Sequence, residues 1–405
     1  MDLIARNARL ADGRMVDIAI RDGRFAAIGD AGPEATETID LGGRLALPGF
    51  VETHIHLDKS CILDRCRPEG DLAGAIAKVS KAKAEFTPED VASRAARTLE
   101  KAILNGTTHM RTHLEVDPTV GLRSFEGVKR AIADYAWAVD VEICVFPQEG
   151  LLNTPGTDEL LVAALEDGAG SIGGAPYTDS DPHGQIDRIF ELARLYDVDI
   201  DLHLDFSADA TALDADYVCF KTIEAGWQNR VAIGHVTKLS NVPAARLAEV
   251  AKRLADAGVA LTVLPSTDLF LMGRDRDHGQ MRGVTPAHRM LAHGVNCSLS
   301  TNNVLNPFTP FGDGSLIRMA NLYANICQCG EFHELEECVE MVTNRPARLL
   351  RLPDYGLEVG RSADFVVVDA QDRVGAVTEL APPLYGFKRG RRTFTRRPPE
   401  LHRPQ

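Results

Sequence analysis

Gly49-Phe50-Val51-Glu52-Thr53-His54-Ile55-His56-Leu57-Asp58 is an apolar, β-prone run ending in two histidines two residues apart. Residues i and i+2 of a strand point to the same face, so both imidazoles leave the strand end on one side. Two converging imidazoles suit a metal ion; two solvated loop histidines are the other reading. Two further runs decide between them. VDIDLHLD (198–205) carries His203 and RVAIGHVT (230–237) carries His235, each closing a strand-like segment. Three strand ends that deliver four histidines predict a mononuclear metal site.

The surrounding pattern supplies the frame. The segment AEFTPEDVASRAARTLEKAILNG (84–106) reads as a helix, with Thr87 as its cap, Pro88 at the first helical position and acidic residues in the first turn. Strand-like runs follow at TTHMRTHLEV, VEICVFPQ, SIGGAPY, DIDLHLDF, RVAIGHVT, VALTVLPST and NCSLSTNN, separated by amphipathic helical stretches. With the strand that ends at His54 they predict an α/β fold, a (β/α)8 TIM barrel over residues 48–352. A doubly wound open sheet would not normally present ligands from strand ends spread along the whole chain. Residues 1–47 alternate in a β manner, and β character returns in YGLEVGRSADFVVVDAQ and around TRRPPELH. Residues 1–47 and 353–405 are therefore expected to pair as one small β-sandwich domain built from both termini.

A formal charge of −14 argues against nucleic acid or an anionic membrane as partner. The one basic run, Lys388 to Arg397, reads as a solvated tail. No signal-peptide pattern opens the chain, and no apolar stretch reaches the roughly 18–20 residues of a membrane span. The eight cysteines lack zinc-finger or C-x-x-C spacing, and Cys144 and Cys297 read as small core residues. A cytoplasmic protein is expected. No G-x-S-x-G, P-loop or dinucleotide fingerprint is present.

Taken in order, LPGFVETHIHLDKS, MRTHLEVD, VFPQEGLL, YDVDIDLHLD, RVAIGHVTKL, LMGRDRDHGQMRGVTP and NPFTPFGDGS resemble the amidohydrolase superfamily. The similarity is to the branch of bacterial cytosine deaminase and N-isopropylammelide isopropyl amidohydrolase. EVGRSADFVVVD resembles the strand that closes that family's small β domain, and HLDKS, with Lys59, looks closer to the ammelide-type members. The resemblance implies that His54, His56 and His203 bind one divalent metal, zinc or iron. It places His235 beside that metal, as a further ligand or as the group that orients water or the tetrahedral intermediate. It implies that Gln148 contacts the substrate; Phe206, Asn303 and Phe308 are candidates for the same role. The binuclear members carry a lysine on the fourth strand; SIGGAPY has none, which points to a single metal.

Two positions depart from the family. Asn302 stands where the family has a metal-binding aspartate that takes a proton from water. Its amide oxygen can still coordinate, but it cannot act as a base at neutral pH. Phe206 stands where cytosine deaminase has its proton-shuttling glutamate. Asp205, two residues beyond His203, is the expected substitute acid, with Asp58, Asp268 and Asp313 expected on the same rim and His113 facing the interior without a ligand role. The expected function is metal-dependent hydrolysis of a C–N bond in a pyrimidine- or s-triazine-type heterocycle, releasing ammonia or an amine, by an enzyme that is oligomeric like its relatives. Ring opening of a cyclic amide is one alternative. A catalytically impaired, heterocycle-binding barrel is the other.

Overall fold

In the computed structural model, which describes residues 1–68 and 70–403, eight parallel strands follow one another around a barrel in chain order. They are Phe50–Ile55, Thr107–Glu115, Asp140–Phe146, Ser171–Ile172, Asp199–Leu204, Val231–His235, Val259–Val263 and Cys297–Leu299. Helices cover the outside, as parallel strands buried on both faces require. The helix Pro88–Leu104 begins as its sequence predicts: the Thr87 side chain accepts from the backbone N–H of Asp90, and Pro88 needs no donor there. Its buried face, Val91, Ala95, Leu99 and Ala102, packs into the main apolar core.

The seam between the first and last strands is closed largely by side chains. The Ser300 hydroxyl accepts from the backbone N–H of Thr53 at 3.1 Å, and the Thr53 hydroxyl meets Ser298 at 2.9 Å. Both carboxylate oxygens of Glu52 accept from the Thr301 N–H at 3.1 Å. The one backbone bridge joins Ile55 to Asn302: Asn302 N–H donates to His54 O, and His56 N–H donates to Asn302 O, each at 2.9 Å. Asn302 is thus the pin that closes the barrel at its C-terminal mouth.

The chain ends build a second, largely antiparallel sheet of eight strands. Leu45–Pro48, the strand that leads into the barrel, pairs with Phe365–Val368 from the far end of the chain. Phe25, Phe365 and Phe387 form its aromatic centre, the last two stacked at 4.2 Å. Two local expectations fail. The final strand is Arg391–Thr395, so most of TRRPPELH lies beyond it, where two prolines in sequence cannot donate to a ladder; residues 404–405 lie outside the described residues. Nor is the basic run a tail: most of its arginines are exposed, but it runs through two strands and its lysine is buried. Lys388 is 1 % exposed and lies between the two sheets, with Nζ 2.8 Å from both Asp364 and Asp140 and donating to Thr108 O at 3.1 Å. Two carboxylates compensate a buried ammonium that solvent cannot reach.

All eight cysteines are free. Among the described residues no helix is long and apolar enough to cross a membrane.

Candidate active site

Three imidazoles meet where the first and fifth barrel strands end. Nε2 of His203 lies 3.0 Å from Nε2 of His54 and 3.2 Å from Nε2 of His56. His56 Nδ1 lies 3.0 Å from the backbone oxygen of His113. A carbonyl only accepts, so Nδ1 carries the proton and the Nε2 lone pair faces inward. Burial and the neighbouring rings push His54, His56 and His203 well below the usual imidazole pKa, which keeps them neutral. Ring nitrogens this close must share a proton or a cation. Nitrogen ligands of one tetrahedral zinc stand about 3.4 Å apart, close to the spacing found. The amide oxygen of Asn302 is buried with no hydrogen-bond partner among the described residues, as a fourth donor would be. The donor set fits a divalent metal.

A second triad also passes through His203, because ligand atoms of His54, His113 and His203 lie within 4.8 Å of one another. The two triads compete for the same rings. His56, His203, His235 and Asn302 line a narrow recess that neither His54 nor His113 lines, so the first triad opens to it through two rings and the second through His203 alone. His113 instead lies under the site, stacked on His54 at 3.6 Å, with Nε2 3.5 Å from Asp201. Asp201 shares the strand face of His203 and is pinned by Arg111 at 3.0 Å; its other oxygen lies 3.9 Å from His54 Nδ1. A carboxylate in that place favours the tautomer of His54 that turns Nε2 inward. The D-x-H spacing in VDIDLHLD carried that signal; the sequence reading passed over it.

His235 stands apart from the trio, its ring centre 5.5 Å from His203 and 5.8 Å from His54. Its Nδ1 lies 2.5 Å from Oδ1 of Asp268, which is fully buried. Burial pushes the Asp268 carboxyl up, and the contact with His235 opposes that shift. His235 and Asn302 both hold left-handed backbone conformations, φ 69° and 62°. Such conformations away from glycine are costly and cluster at functional sites.

Asp205 does not join this group. The strand ends at Leu204 and Asp205 turns to φ 51°, so the two-residue alternation that would have placed it beside His203 is lost. Its carboxylate accepts from the backbone N–H groups of Asp214 and Ala215 and pairs with Lys238 at 2.8 Å. It caps a helix. Asp58 accepts from the backbone of Lys59 and Glu115, and Asp313 caps Ser315 and holds Arg318. Of the four rim carboxylates, Asp268 alone touches a histidine of the site.

Lys59, Gln148, Tyr177, Phe206, Asn303 and Phe308 also line the recess. Phe206 meets His235 edge-on at 4.9 Å. Lys59 is buried over the Phe308 ring at 4.2 Å and pairs with Glu115 at 2.6 Å. Glu115 also takes Lys83, and these two ammonium groups hold its carboxyl down to about 2 despite burial. A larger cavity, lined by Arg111, Asp199 and Arg230, opens where the strands begin and contains no histidine.

The amidohydrolase family model matches residues 37–138 and 142–394. The chain belongs to the amidohydrolase family. Like N-isopropylammelide isopropyl amidohydrolase of Pseudomonas sp. (strain ADP), with which it is 29% identical over 96% of both chains, this amidohydrolase is an enzyme of carbon–nitrogen bonds. It is 30% identical to pterin deaminase of Rhizobium rhizogenes over 88% of this chain and 82% of that one. The crystal structure of 5-methylcytosine deaminase from Klebsiella pneumoniae liganded with 5-fluorocytosine superposes with a TM-score of 0.93 at 28% identity, covering 99% of each chain.

Proposed function

We propose that this amidohydrolase is a metal-dependent aminohydrolase that removes ammonia or an amine from a flat nitrogen heterocycle. The observation that carries the reading is the approach of the His54 and His56 Nε2 atoms to that of His203, at 3.0 and 3.2 Å, next to a recess lined by His56, His203 and Asn302, whose oxygen has no partner among the described residues. Relatives named for ammelide, pterin and cytosine substrates support the substrate class.

His54, His56 and His203, with the Asn302 amide oxygen, would hold one divalent ion. Such an ion makes water a nucleophile near neutral pH by lowering its pKa. The rest of the chemistry falls to the side chains. Asn302 takes no proton, so the proton released on attack goes elsewhere. His235 is the group placed to receive it. Asp268 accepts the Nδ1–H, which leaves Nε2 of His235 as a base facing the recess. The same nitrogen then returns the proton to the departing amine. Asp268 serves as the positioning residue, fixing tautomer and ring angle, and the Phe206 edge shields the pair from water.

Protein purified without chelator, assayed for metal and then against amino-substituted pyrimidines and triazines, tests the reading. Release of ammonia or alkylamine with a stoichiometric metal supports it. An acid product formed without amine release would assign ring opening instead. Asn302 favours one rival: a barrel that binds its heterocycle without turnover, which the assay would reveal as ligand binding with no product.

A further inference from the structure

The amides that line the recess have orientations set by their neighbours. Backbone N–H groups of Phe308 and Thr309 donate to Asn306 Oδ1 at 3.0 and 3.1 Å. A backbone N–H is never an acceptor, so the Asn306 amide has one allowed orientation. Its Nδ2 donates at 2.7 Å to Asn303 Oδ1 and at 3.2 Å to Lys59 O. The first of these bonds fixes the Asn303 amide with its oxygen towards Asn306 and its NH2 on the opposite side, and Asn303 lines the recess. A second chain of constraints begins at Glu115. Its carboxylate holds Lys59, whose ammonium donates at 3.2 Å to Gln148 Oε1. The Gln148 Nε2 must then lie on the other side, where it is buried and faces the Tyr177 hydroxyl. The Tyr177 hydroxyl beside Gln148 rotates to suit either kind of partner.

Beyond the histidines, then, Lys59, Gln148 and Asn303 present only N–H donors, one of them cationic. We infer that the substrate is an oxo heterocycle whose edge against Lys59, Gln148 and Asn303 carries acceptors alone, carbonyl oxygens or unprotonated ring nitrogens. The inference rests on the aminohydrolase reading for the identity of the ring, and it adds which substituents the ring carries. An amino group on that edge would set donor against donor in a buried place, at a cost of about tenfold or more per mismatched pair.

Two probes share one leaving amine and differ at this edge: 6-aminouracil, with two oxo groups, and 2,6-diaminopyrimidin-4-one, with one replaced by an amine. The metal-loaded enzyme is expected to favour the first in kcat/KM by about 100-fold. Gln148→Glu, which replaces the inward NH2 by an acceptor, is expected to shrink that ratio at least tenfold, and Lys59→Met to raise KM for 6-aminouracil. Thermal unfolding of each variant without ligand verifies that it is folded. Equal or reversed preference in the parent enzyme, or a ratio unmoved in both folded variants, overturns the inference. If neither ring is turned over, barbiturate binding decides. Tighter binding of barbiturate than of the diamino ring, weakened in Gln148→Glu, upholds the donor wall while sinking the hydrolase reading; no such preference sinks both.

Discussion

The carboxylate of Asp268 lies 2.5 Å from Nδ1 of His235, and both side chains are buried. Asn302, just past the last barrel strand, supplies an amide and no charge. An acid therefore stands behind His235, at the edge of the recess. That relationship sets the first prediction.

Asp268→Asn is expected to lower kcat by about 10- to 100-fold while metal content stays at the parental level. The variant keeps the volume and loses the charge that fixes the His235 tautomer. Asp268→Glu should recover part of the rate. Loss of metal in parallel with activity would instead make His235 a ligand.

Asn302→Asp is expected to tighten metal binding at least tenfold, measured by competition with a chromophoric chelator. It places a full negative charge against a divalent ion in a buried site, where Coulomb interactions are poorly screened. Without metal the new carboxylate is buried with no partner, so the metal-free form should lose stability, read as a lower Tm than that of the parent.

Removal of metal by chelation is expected to abolish amine release and to lower the Tm. Zinc or ferrous iron at about 100 times its Kd should restore roughly 2.7 kcal/mol of stability by mass action. Both effects should vanish in His54→Ala, whose ring stands at 3.0 Å from His203.

Acid should loosen the junction of the two sheets through His109. Burial, then the Lys388 ammonium, depress His109 from its usual value to about 4. In the unfolded chain it titrates near 6.5, at roughly the model-peptide value. Above that pH both states are neutral and the full stability is present. As pH falls through 6.5 towards 4 the unfolded chain takes a proton that the folded one refuses, a loss of up to ~3 kcal/mol. Urea unfolding of the parent and His109→Gln at pH 4.5 and 7 measures this; the variant's pH slope should be shallower.

Much of the site was legible because strands repeat every two residues. H-x-H at the first strand end, and a histidine closing each of the runs 198–205 and 230–237, forced convergence at one mouth once eight strands were counted. The same rule misplaced Asp205, since it holds only while the strand lasts, and the chain leaves the β region at that residue. Lys388 was misread for a related reason. A basic run looks solvated until the carboxylates that meet it, Asp140 and Asp364, arrive from distant parts of the chain.

Pattern along the chain determined the barrel, the pairing of its two ends into one sheet and the histidines, because periodicity and strand count are local quantities that add up to a topology. Only the tertiary structure decided which carboxylate stands behind His235, that His113 stacks beneath His54, and that Lys59, Gln148 and Asn303 all present donors. Those facts depend on contacts between residues up to about 250 positions apart, as between Lys59 and Asn306. Hydrogen-bond direction is settled by the partner, and no partner of that kind is written in the neighbouring sequence.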